Sequence, residues 1–137
     1  MFTRGVIIMI FVALPMDLEA DPDGSTLYAE HCASCHGPNL EGEENWRSQN
    51  ADGTLPAPPH DDTGHTWHHP DAMLRAYVRL GGQETLRQMG VTGVVSAMPG
   101  FGGVLDDTEI EAILDFIKSN WSPRSRDHQK KITKGSQ

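Results

Sequence analysis

The chain has 137 residues and a formal net charge of −8, with 19 acidic residues against 11 basic ones, seven histidines and two cysteines. That length suits one domain with one core, and the acidic balance argues against a nucleic-acid-binding surface, which needs a basic stripe. No phosphate-cradling loop, activated nucleophile or paired acid and base stands out, so the usual catalytic constellations are missing from the sequence.

In chain order, Arg4 precedes nine consecutive apolar residues, Val6 to Leu14, followed by Pro15 and the small residue Ala20. This pattern predicts a secretory signal over residues 1–20 and hence an exported, periplasmic protein. Nine apolar residues fall short of the roughly 20 that span a bilayer, so a membrane anchor is the lesser alternative and applies if the leader is not cleaved. Residues 21–121 then read as one domain.

A first helix is expected from Asp23 or Ser25, both good caps, to about Cys35. At its end stands Cys32-Ala-Ser-Cys35-His36. Two thiols at this spacing can each add to one vinyl group of a haem, with His36 next to them as an axial ligand of the iron. Two alternatives compete for the same residues. A structural zinc site needs four closed ligands, so Cys32, Cys35 and His36 would have to recruit a distant histidine. A redox dithiol needs a βαβ setting, and none surrounds residue 32.

Gly37-Pro38 ends this helix, and the stretch to Pro59 is rich in glycine, proline and charge, so it reads as loop. Trp46 within it is expected to pack as a wall on the small core, and Leu55-Pro56-Ala57-Pro58-Pro59 should be stiff and extended. Four histidines then fall between His60 and His69. Neutral imidazole is a common ligand for copper and zinc, which suggests a second metal site. The plainer reading has His65, Trp67 and His68 donating hydrogen bonds to haem propionates or capping the next helix. One of these imidazoles displacing a methionine from the iron is a further option.

Pro70 and Asp71 open a helix whose apolar residues Met73, Leu74, Tyr77 and Val78 share one face, and Gly81-Gly82 closes it. A shorter helix runs from Gln83 to Met89, and Val91 to Ala97 is expected as a loop laid over the haem. Three methionines are candidates for the sixth iron position, and Met98 is favoured over Met73 and Met89. It lies far enough from His36 for the chain to reach the opposite haem face, Pro99 and Gly100 stiffen the backbone behind it, and Phe101 can pack beside the porphyrin. Asp106 and Glu109 form a capping box for the last helix, whose inward stripe is Ile110, Ile113, Leu114, Ile117 and Trp121. Residues 122–137 hold Arg124, Arg126, Lys130, Lys131 and Lys134 against Asp127, with no apolar period. They are expected to form a basic disordered tail, solvated or used in docking. That +4 tail leaves −11 on residues 21–121.

Gly24, Tyr28 and Cys32 fall on one helical stripe, Ile113 and Phe116 fall three apart in the last helix, and Met98-Pro99 lies between them. In these motifs the chain resembles the class I c-type cytochromes over about residues 22 to 121, and it departs from their pattern at His60 to His69. The resemblance implies an all-α, cytochrome c-like fold of about four helices around one covalently attached haem c. It implies thioether links at Cys32 and Cys35, axial ligands His36 and Met98, and packing of the last helix on the Gly24 and Tyr28 face. It also implies that a proline carbonyl supports the proximal histidine, from Pro56 or Pro58. Tyr28, His65, Trp67, His68 and Phe101 complete the expected pocket.

The implied function is one-electron transfer in the bacterial envelope, with a redox donor and acceptor presenting basic surface to the acidic body. The alternatives are a haem module that binds or senses copper or zinc through the histidine run and, more remotely, a peroxidase with a vacant distal side.

Overall fold

The computed structural model describes residues 22–136, so the expected signal at 1–20 lies outside the described residues. Among the described residues the chain forms six α-helices: α1 Gly24–His31, α2 Ala33–His36, α3 Asp71–Leu80, α4 Gly82–Gln88, α5 Asp107–Ser119 and α6 Pro123–Gly135. A single 3-10 turn, Thr66–His68, precedes α3. No strand occurs among the described residues, and one parallel bridge joins Thr54 to Val95. None of the described helices is long and apolar enough to cross a membrane.

Three of these helices, α1, α5 and α6, begin where a side chain satisfies a free amide. Asp23 caps α1 by accepting from the Ser25 N–H, and Asp106 caps α5 in a reciprocal box with Glu109, which leaves fewer orphan donors at each start. The segment expected as one helix to Cys35 bends at Cys32, where α1 gives way to α2. Main-chain bonds nevertheless continue through the bend, from the Cys32 N–H to Tyr28 and from the His36 N–H to Cys32.

The core lies where α1 crosses α5. Tyr28, Ile110, Ile113, Leu114, Ile117 and Trp121 are buried with Leu40, Leu74, Val78 and Leu105, so the inward stripe read from α5 faces inward throughout. Contact at the crossing depends on Gly24. A Cβ there would run into the main-chain carbonyl of Ala112 and press on Phe116, while the Tyr28 and Phe116 rings sit 5.3 Å apart just beyond it. α3 joins the outside of α5 through the Arg75–Glu111 and Arg79–Asp107 ion pairs.

The expected disordered tail is a helix. Ser122 caps α6 and binds Asp62 through its N–H at 2.9 Å. Gln129 donates to the Asp71 carboxylate at 2.5 Å and to Thr133, and the Asp71 N–H donates to Thr133 Oγ1 at 3.1 Å. Ser125 and Gln129 are buried. The inner face of α6 is therefore polar and paired, which is why no apolar period announced it.

Candidate functional site

Cys32, Cys35 and His36 sit at the end of α1 and on α2, next to the crossing of α1 with α5. The Tyr28 hydroxyl donates to the Gly37 carbonyl at 2.9 Å, tying the core aromatic to the residue directly after His36. His36 is 7 % exposed, and its Nδ1 lies 2.9 Å from the Pro58 carbonyl oxygen. A carbonyl only accepts, so Nδ1 carries the proton. Burial, against the opposing pulls of that hydrogen bond and of Glu43, holds the ring below the ordinary histidine range. A neutral imidazole protonated at Nδ1 leaves the Nε2 lone pair free for a metal. Of the two prolines, Pro58 supplies the carbonyl, while Pro56 is buried in the same extended run.

The surroundings of Cys32 do not favour redox exchange. Burial, and then the neighbouring Cys35, push the Cys32 thiol up to about 11. A catalytic dithiol instead needs its thiol lowered toward neutrality. The histidine run does not gather at one point: His65 and His69 meet, with ring centroids 5.2 Å apart, while His60 and His68 go elsewhere. His60 stacks on His36, with ring centroids 4.0 Å apart. His65 stacks on Trp46 at 5.2 Å, and the Arg47 guanidinium covers the same indole at 3.9 Å. His68 leans on Trp67 at 3.7 Å and meets His128 of α6 at 5.2 Å. Among the described residues no group of three or more His, Cys, Asp or Glu side chains could hold a metal ion. The copper or zinc reading therefore lacks the cluster it requires. Trp46, expected as a wall on the core, instead joins a surface stack with His65 and Arg47.

Met98 and Phe101 both pack against the core cluster. The Met98 segment is fixed at its backbone: its carbonyl accepts from the Gly82 N–H at 3.0 Å, its N–H faces Ser96 Oγ at 3.3 Å, and the Phe101 N–H donates to Val78. Gly81 and Gly82, read from sequence only as the end of α3, make this seat possible. Gly81 has φ +84, and a Cβ there would meet Gly100, Met98 and Pro99 main-chain atoms within 3 Å. A Cβ on Gly82 would collide with Ser96.

An all-α body presents two thiols and a buried, metal-competent imidazole on one helical turn, a donor set that fits a covalently attached haem. The sequence model of the cytochrome c family matches residues 22–121. The chain belongs to the cytochrome c family, whose members carry covalently bound haem c, and α6 lies beyond the matched region. No curated protein and no solved structure matches the chain.

Proposed function

We propose that the protein is a one-electron carrier of the bacterial envelope, with haem c joined to Cys32 and Cys35 and held axially by His36 and Met98. When bound, the haem supplies an iron that alternates between ferric and ferrous states. His36, oriented by Pro58, is a firm nitrogen donor, and the Met98 thioether favours the softer ferrous state, which raises the potential. The tight Gly81-Gly82 seat behind Met98 limits reorganisation between the two states. With His36 and Met98 both holding the iron, no position would be left for substrate, which would separate a carrier from a peroxidase. The observation that carries this reading is the buried His36 ring, with Nδ1 on Pro58 and Nε2 free, one residue after Cys35.

The acidic body favours donor and acceptor proteins with basic docking surfaces. The apolar stretch behind Arg4 favours export to the periplasm. Near-infrared absorption of the ferric protein tests the ligation, since a methionine-to-iron charge-transfer band is expected. Its absence, together with rapid carbon monoxide binding by the reduced protein at neutral pH, would replace the carrier with a vacant-site enzyme.

A further inference from the structure

His60 lies in the stretch that departs from the family pattern, yet its side chain lies against the residue that matters most. Its ring is nearly parallel to that of His36, with an interplanar angle of 20° and centroids 4.0 Å apart. We propose that His60 is a positioning residue for the axial ligand, and that its stacked ring fixes the rotation of the His36 imidazole about the iron–nitrogen bond. This inference rests on His36 ligating the iron.

The Pro58 carbonyl pins one edge of the His36 ring at Nδ1, which alone lets the ring swing about that edge. A flat group laid on its face removes the swing. His60 suits this task because it is itself fixed from several sides. Its N–H donates to the Leu40 carbonyl at 2.8 Å, and its own carbonyl accepts from Trp121 Nε1 at 2.7 Å. On the side chain, Nδ1 lies 2.8 Å from the buried Thr66 hydroxyl, and the Tyr28 ring stands edge-on to the imidazole. Pro58 and His60, two residues apart on one extended segment, thus form a clamp with one contact on an edge and one on a face. An aliphatic side chain of similar volume would fill the space without defining a plane. Groups that orient a metal-bound histidine in this way tune the metal without touching it.

In low-spin ferric haem the unpaired electron occupies an orbital whose direction follows the axial imidazole plane, so the four haem methyl groups carry unequal spin density. Their order and spread in the proton NMR spectrum therefore report the rotation of the His36 ring. The test compares ferric holo-protein of wild type with His60→Leu, His60→Phe and Thr66→Val. His60→Leu is expected to change the methyl order or spread. His60→Phe, which keeps a flat ring, should preserve them, and Thr66→Val, which frees the His60 ring, should move them in the same direction as Leu but less. An unchanged pattern in His60→Leu, or a Phe variant that behaves like Leu, overturns the proposal. If His60→Leu does not fold, an unmoved pattern in Thr66→Val overturns it equally. Loss of thermal stability in all variants with the methyl pattern unmoved reduces His60 to a packing residue. Failure of the ligation itself is visible separately: a wild-type spectrum without displaced haem methyl resonances overturns both readings.

Discussion

Gly24→Ala is the most exacting test of the helix crossing that builds this molecule. The added methyl meets the Ala112 carbonyl in the main chain of α5, and the next contact is Phe116 Cβ. Neither can turn away by changing rotamer, so α1 and α5 must separate. Overpacking a tight interior typically costs about 1–3 kcal/mol, and an obstacle made of backbone belongs in the upper part of that range. Alanine recovers up to ~1 kcal/mol of helix propensity, which leaves a net loss of about 2 kcal/mol. With a guanidinium slope of about 3 kcal/mol/M for a domain this size, the unfolding midpoint of the holo-protein should fall by roughly 0.7 M, followed by far-ultraviolet circular dichroism. Gly103→Ala is the control, because a Cβ there meets nothing within 4 Å, and it should change stability by less than ~1 kcal/mol. A Gly24→Ala midpoint equal to that of the control would refute the close α1–α5 crossing.

Tyr28→Phe removes the hydroxyl that donates to the Gly37 carbonyl, but that carbonyl keeps the Leu40 N–H. The loss should therefore be about 1 kcal/mol by denaturant titration, and a loss above 3 kcal/mol would mean that the hydroxyl holds more than this turn. Gln129→Leu removes the amide that donates to Asp71 and Thr133, but Asp71 keeps Lys118 and Thr133 keeps the Asp71 N–H, so it should cost about 1 kcal/mol; a neutral result would show that α6 is not docked through its polar face. At Asp71, burial pushes the carboxyl up, but hydrogen bonds from Lys118 and Gln129 and the charges of Lys118 and Arg75 outweigh it and hold the group below 3.8. Its contribution is fully present above pH 3.8 and is lost as the pH falls through the lower folded-state value. The stability gap between wild type and Asp71→Asn should accordingly be constant at neutral pH and narrow on acidification below about pH 4. A gap that widens in acid would reverse the assignment.

The parts of the fold that rest on apolar periodicity were legible in the sequence. The α5 stripe from Ile110 to Trp121 and the Asp106–Glu109 box stand where the pattern placed them, and the Gly24–Tyr28 contact face stands where the family resemblance implied it. α6 was not legible, because buried Ser125 and Gln129 and half-buried Thr133 form an inward stripe of hydrogen-bonding groups and a hydrophobicity count reads them as surface. The histidine run needed coordinates for a different reason. Composition shows that four imidazoles are close in sequence, but an irregular backbone sends His60 to the His36 ring, His65 to Trp46 and His68 to α6. The choice between Pro56 and Pro58 likewise depended on which carbonyl of a stiff segment faces inward, and only coordinates show that. Gly81-Gly82 carried a usable signal: two adjacent glycines exceed what a helix end requires and mark a close approach of main chain.

Intact mass of the native chain, before and after thiol alkylation, tests the central claim most directly. The account predicts one haem added to the polypeptide mass and no alkylation at Cys32 or Cys35. A chain of bare polypeptide mass with both cysteines open to alkylation would contradict it.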